Sequence, residues 1–231
     1  MQTVEKGTLY VVSTPIGNLE DMSFRAIQVL KDVDLIAAED TRKTQRLMNH
    51  FNIQNRMDSY HDHNKESKAP LLVQKLCSGY DIAVVSDAGT PGISDPAYRL
   101  IQKALASNIS ITPIPGPTAA ITAVSVSGLP TDRFVFEGFL PVKKGRRSRI
   151  EAMKEEKRTI IFYESPHRFI KTLYDLQDIM GNRSVAVCRE MTKMFEEVIR
   201  GTFSEVIEIF SKRKIRGELV LVVQGNKGKK A

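Results

Sequence analysis

The stretch VVSDAGTPGISDP (84–96) sets two Gly, two Pro, two Asp and two Ser directly after a run containing Ile82, Val84 and Val85. Packing alone rarely asks for that mixture. Gly89 and Gly92 let the backbone approach a ligand without a Cβ in the way, and Pro91 and Pro96 stiffen the loop, so that amides are offered at fixed positions. Asp87 can accept hydrogen bonds from a donor-rich ligand. Asp95 has a plainer reading as the N-cap of a helix over 96–106, with Pro96 at its first position.

Three further segments have the same character: STPIGNLED (13–21), AEDTR (38–42) and PGPTAA (115–120). YESPHR (163–168) adds a carboxylate and two cations after an apolar run, although Ser165 and Pro166 also make an ordinary helix start. Neither G-x-G-x-x-G nor G-x-x-x-x-G-K-[ST] occurs, which argues against a dinucleotide fingerprint or a phosphate-cradling loop. His61 and His63 in SYHDHNK are a weak metal or general-base signal, a His-x-His pair with one neighbouring Asp. No metal is expected.

These loops need elements to hold them. TLYVVS (8–13), DLIAAE (34–39), DIAVVS (81–86) and ISITPIP (109–115) read as buried parallel strands, and helical spacing lies between them at Ile27, Leu30 and Val33, at Leu71, Leu72 and Leu76, and at Leu100, Ile101, Ala104 and Leu105. The first half is therefore α/β with a parallel sheet. The second half offers strands at RFVFEGF, RTIIFYE, SVAVCRE and GELVLVVQG, with helices near 143–156, 167–180 and 202–213. In open α/β sheets ligands bind beyond the carboxyl ends of the strands, where the four unusual segments fall. No internal repeat is evident, and the GNKGKKA tail reads as frayed.

A chain of 231 residues, 42% hydrophobic, can bury a sizeable core, and its length suits two domains, 1–117 and 118–231. No run approaches a membrane span, and MQTVEKGTLYVV lacks the marks of a signal peptide, so a cytoplasmic protein is expected. Cys77 and Cys188 have no metal-ligand spacing and read as core thiols. Residues 1–115 hold 12 Lys and Arg against 13 Asp and Glu, a net −1, whereas residues 116–231 hold 22 against 14, a net +8. The basic second half favours a polyanionic partner. Its densest run is VKKGRRSR (142–149), where Lys143, Lys144, Arg146, Arg147 and Arg149 stand without an acid.

Taken in order, TPIGNLEDMSFRAIQVL, AEDTRKT, SDAGTPGISDP, PGPTAAITAVSVSGLP, FEGFLP and FYESPHR resemble the tetrapyrrole methylase superfamily over essentially the whole chain. The likeness is to its ribosomal RNA branch, which methylates the ribose 2′-hydroxyl of a cytidine in small-subunit (16S) ribosomal RNA. The TPIGNLED loop differs from the Gly-rich first loop of porphyrin-modifying relatives, which weighs against a tetrapyrrole substrate.

The resemblance implies two α/β/α domains with S-adenosylmethionine in a cleft between them, a homodimer, and ribosomal RNA or the small ribosomal subunit as partner. It assigns Pro15, Asp87, Gly89, Thr90 and Ile93 to the cofactor from the first domain, Thr118 and Ala119 from the domain junction, and Tyr163 and Met191 from the second domain. A sulfonium methyl is already activated, so such an enzyme aligns the incoming hydroxyl and removes its proton. Glu39, Asp40 and Glu164 are the candidate bases. Arg42, Arg168 and Lys193 are candidates for stabilising negative charge or holding phosphate, and the residues alone do not choose among them. Arg168 joins the basic run on the expected RNA surface. Two rival readings share these loops: a small-molecule methyltransferase of the porphyrin type, and an RNA-binding module with a vestigial cofactor site.

Overall fold

In the computed structural model, which describes residues 5–228, the runs at 35–38, 82–85 and 219–223 are buried on both faces, whereas ISITPIP, expected to be buried, and RFVFEGF lie at sheet edges and expose Ser110, Pro113, Phe134 and Phe139. The chain divides into two units, Met1–Thr118 and Ala119–Ala231. The start of MQTVEKGTLYVV and the last three residues of GNKGKKA lie outside the described residues.

The first unit strings together β1 (Thr8–Val12), α1 (Phe24–Asp32), β2 (Leu35–Ala38), α2 (Thr41–His50), β3 (Met57–Ser59), α3 (Lys65–Cys77), β4 (Ile82–Val85), α4 (Ala97–Ala106) and β5 (Ser110–Ile114). Its sheet is parallel throughout, in the order β3-β2-β4-β1-β5. Alternate residues of one strand enter opposite cores. Leu35 and Ala37 pack with Leu72, Leu76 and Leu100 on one face, while Ile36 and Ala38 pack with Leu30 and Met48 on the other. Leu30, Leu72, Leu76 and Leu100 are almost wholly buried, so truncating any of them to Ala should cost about 2–5 kcal/mol.

The second unit runs α5 (Ala119–Val126), β6 (Phe134–Phe139), α6 (Arg146–Ala152), β7 (Thr159–Glu164), α7 (Phe169–Met180), β8 (Ser184–Arg189), β9 (Glu197–Thr202), α8 (Phe203–Ser211) and β10 (Leu219–Val223). Its sheet, β6-β7-β10-β8-β9, is mixed. β6 and β7 are parallel, whereas β10 runs antiparallel to both of its neighbours and β8 pairs antiparallel with β9. Phe162, Phe169, Phe203 and Phe210 fill one face beneath α7 and α8. Ile161, Val220 and Val222 meet α5 on the other.

Several expectations need correction. Cys77 is exposed at the last position of α3, and only Cys188 is buried. The helix expected near 143–156 is confined to Arg146–Ala152, because Gly145 takes a left-handed φ of 79° that the helical turn cannot include. Four elements went unread, among them α5, whose residues enter the sequence reading only as part of a loop motif. α2 is largely polar and buries only Thr44 and Met48, and β3 and β9 are edge strands without a continuous apolar run. Asp95 accepts from the Ala97 amide at 2.8 Å, so it caps α4 as expected, with Pro96 just before the first helical residue.

Candidate active site

The first-unit site grows from the ends of β1 and β4. Beyond β1, the Thr14 amide donates to the Gly89 carbonyl at 2.9 Å, and the Gly89 amide returns a bond to Thr14 at 3.0 Å. Gly89 holds φ +81°, and a Cβ there would already touch Ile16 at 3.4 Å. The loop thus needs Gly for its backbone conformation, while a Cβ would make only ordinary contact there. Around it runs a chain of hydroxyls. Thr90 Oγ1 lies 2.9 Å from Ser13 Oγ and 2.6 Å from Thr118 Oγ1, and is 3.3 Å from the Pro117 carbonyl. Gly116 lies against the strand so tightly that a Cβ would come within 2.8 Å of Ser13 Cβ. The sequence-predicted Gly89, Thr90 and Thr118 therefore meet at one point.

Asp87 sits at the rim, its carboxylate 2.6 Å from the Lys43 ammonium, and its amide donates to Glu39 Oε2 at 3.1 Å. Pro15, Lys43 and Asp87 line a cavity of about 200 Å³. Burial raises the Glu39 carboxyl above its ordinary value, the bond from Asp87 offsetting part of the effect. Burial likewise raises Asp95, although the Gly92 and Ala97 amides bond to it. Ile93 is exposed.

Asp40 has a different role. It caps α2 through the Arg42 amide at 2.9 Å and holds the Arg42 guanidinium, and this pairing lowers its carboxyl to about 2. A carboxylate so acidic is a poor base near neutral pH. Among the described residues no cluster of three or more His, Cys, Asp and Glu side chains gathers to hold a metal, and His61 bonds Asn64 at 3.3 Å.

In the second unit Tyr163 stands edge-on to Phe136 and Phe139, with centroids 5.0 and 5.5 Å away, and its hydroxyl accepts from the Ala120 amide at 3.2 Å. Burial raises this phenol. Ala119, Tyr163 and buried Met191 share one apolar cluster, so these three sequence-predicted residues are also brought together. Lys193 lies 2.9 Å from both Glu190 and Glu218.

Two groups expected to do chemistry are instead structural. Glu164 is 2% exposed, paired with Arg168 at 2.7 Å and accepting from the Thr172 hydroxyl at 2.5 Å. Arg168 also donates to the Leu140 carbonyl at 3.1 Å. Arg146, read as an RNA contact, is 7% exposed and reaches Asp175 at 2.7 Å and Thr172 at 2.8 Å. A guanidinium buried against a carboxylate is a brace, not a docking group. The rest of the run is exposed. Arg147 pairs with Glu151 and Asp178, and Arg149 with Glu137, whereas Lys143 and Lys144 make no such pair among the described residues.

Sequence reasoning missed Lys43, Ser13 and the network joining Thr172 to Arg146. A polar helix over 41–50 carried the only signal for Lys43. No helix among the described residues is long and apolar enough to cross a membrane.

The family model for tetrapyrrole (corrin/porphyrin) methylases matches residues 8–207. A protein of Halalkalibacterium halodurans called Ribosomal RNA small subunit methyltransferase I is 54% identical over 97% of this chain and 78% of its own length. Like-named proteins of Escherichia coli O157:H7 and Thermotoga maritima are 50% and 45% identical, covering 96% and 95% of this chain and 79% and 99% of their own lengths. Among solved structures, a diphthine synthase aligns with a TM-score of 0.74 at 12% identity over 94% of this chain and 90% of its own. The uroporphyrin-III C-methyltransferase of Thermus thermophilus, complexed with S-adenosylhomocysteine, gives 0.67 at 16% identity over 94% of this chain and 97% of its own. Likeness at that identity speaks to the fold, while the family model and the relatives near half identity speak to descent: this chain belongs to the tetrapyrrole (corrin/porphyrin) methylase family of methyltransferases.

Proposed function

We propose that the chain transfers a methyl group from S-adenosylmethionine to the ribose 2′-hydroxyl of a cytidine in small-subunit ribosomal RNA. The observation that carries this reading is the meeting of Thr14, Gly89, Thr90 and Thr118 at the ends of β1 and β4, within a chain about half identical to proteins bearing the rRNA methyltransferase name. The loop suits the cofactor. Its left-handed Gly89 leaves a face without side chain, hydroxyls surround it, and Asp87 supplies an acceptor for ammonium or ribose hydroxyl donors.

Asp87, Gly89, Thr90, Ile93, Pro15 and Thr118 would hold the cofactor from the first unit. Ala119, Tyr163 and Met191, clustered in the second, are the contacts that the family resemblance assigns there. S-adenosylmethionine supplies a methyl group already activated on a sulfonium. The chain must then position the hydroxyl and accept its proton. Glu39 is the candidate base best suited to this. One of its oxygens has no partner among the described residues, and its carboxyl is raised, whereas Asp40 and Glu164 are each locked by an arginine. Lys143 and Lys144, with Arg147 and Arg149 beside them, would meet RNA phosphates. A cytoplasmic homodimer belongs to the same reading, and light scattering checks the dimer.

The test is incubation with labelled S-adenosylmethionine and total RNA or assembled small subunits, followed by mapping of the modified nucleotide. Label at one cytidine 2′-oxygen is the expected result. Label on a tetrapyrrole and none on RNA would overturn the reading.

A further inference from the structure

β10 begins at Leu219, which stands opposite both Glu164 at the end of β7 and Arg189 at the end of β8. The loops over 190–196 and 212–218 therefore emerge at the same sheet edge as Tyr163 and Met191. Apart from Met191, and Lys193 with its partners Glu190 and Glu218, their residues have no part in the scheme above. The second loop begins KRKIR, four cations in five residues. Lys212 pairs with Glu208 and Arg213 with Glu197, but exposed Lys214 and Arg216 pair with no carboxylate among the described residues.

The two loops are tied to each other. Arg189 donates to the Phe195 carbonyl at 3.1 Å and to the Arg216 carbonyl at 3.2 Å, while its Nε bonds Glu197. The Glu218 amide donates to Glu190 Oε1 at 2.9 Å, and a Cβ on Gly217 would lie 2.4 Å from the Glu190 side chain. Glu190 and Thr192 hold left-handed φ values of 49° and 66°, a strain that survives only where surroundings enforce it. The result is a fixed arrangement. Phe195, 67% exposed, stands with Lys214 and Arg216 around a cavity of about 390 Å³.

We propose that Phe195, Lys214 and Arg216 form a docking surface for single-stranded RNA flanking the methylated nucleotide, with phosphates on the two cations and a base stacked on the Phe195 ring. The pairing of an exposed ring with unpaired cations is what a single strand requires, because its bases have open faces and its backbone is anionic. A duplex keeps its base faces covered. The proposal rests on the reading that the methyl acceptor is RNA.

The test uses the full chain, a fluorescent mixed-sequence single-stranded oligoribonucleotide, and the same sequence as a duplex. Lys214→Ser with Arg216→Ser should weaken single-strand binding at least about tenfold and flatten its slope against log salt by about 1.4, the share of two phosphate contacts. Phe195→Ser should weaken single-strand binding by about fivefold to a hundredfold and leave duplex binding unchanged, with Phe195→Trp restoring it. Calorimetry with S-adenosylhomocysteine should show unchanged cofactor affinity in all these variants. Failure of the unsubstituted chain to bind that ligand or to methylate RNA would refute the methyltransferase reading itself. A chain that methylates RNA, with single-strand affinity unaltered by these substitutions, would refute only the surface. Loss with the cation variants and none with Phe195→Ser also overturns it, because attraction to any polyanion, an acidic protein included, would then suffice.

Discussion

At the edge of the first sheet, the half-buried carboxylates Glu39 and Asp95 accept from backbone amides, Asp40 and Asp87 nearby meet Arg42 and Lys43, and the loops meet through amides and hydroxyls. At the corresponding edge of the second sheet, Glu164, Glu190 and Glu197 are matched by Arg168, by Lys193 and by Arg189 with Arg213. The contrast follows the charge, net −1 in one half and +8 in the other. Amide-held carboxylates stay raised by burial and able to take a proton. Carboxylates held by cations become fixed acceptors that brace loops. The comparison teaches where proton chemistry can sit and where shape alone is being maintained.

The contrast is most sharply tested by Glu164→Ala. It strands the Arg168 guanidinium and the Thr172 hydroxyl, so urea titration should show a loss of about 3 kcal/mol. Arg146→Ala should cost about 2 kcal/mol, less because its partner Asp175 is partly exposed, whereas exposed Arg147→Ala should change stability by no more than about 0.5 kcal/mol. Equal effects of the two arginine substitutions would remove the distinction drawn between brace and surface. In the first unit, Asp87→Ala and Thr90→Tyr should each weaken S-adenosylhomocysteine binding about tenfold or more with thermal unfolding little changed. Unfolding of both variants would mean that these loops serve the fold.

A smaller effect is expected for Lys143→Ser with Lys144→Ser. RNA affinity should fall several-fold at low salt and differ little at high salt, while cofactor affinity stays unchanged. Smallest of all is Glu39→Gln. Because burial raises this carboxyl in the folded chain, its charged form costs stability at neutral pH, and the cost vanishes as pH falls through the folded value and the group is protonated. The variant should therefore melt slightly higher than the parent at pH 7 and lose that advantage below about 4.5, the ordinary value. An advantage that grew on acidification would contradict the raised carboxyl. Methyl transfer should fall far more than stability changes if Glu39 accepts the proton.

The alternating apolar runs and the Gly/Pro-rich strand ends were enough to read an α/β chain with loops gathered at carboxyl edges, because strand period and turn chemistry are local properties. The same reading singled out Gly89, whose left-handed φ favours Gly, whereas Thr90 and Thr118 came only from the family resemblance. What the sequence could not distinguish was a free charge from an engaged one. Arg146 and Arg147 are neighbours of the same type, yet one turns inward to Asp175 and Thr172 and the other faces water. Glu39 and Glu164 both follow apolar strands, yet only Glu164 meets an arginine. Cys77 fits a helical pattern but falls on its exposed side. Those outcomes depend on partners distant in the chain, and burial with pairing is a property of the packed tertiary structure.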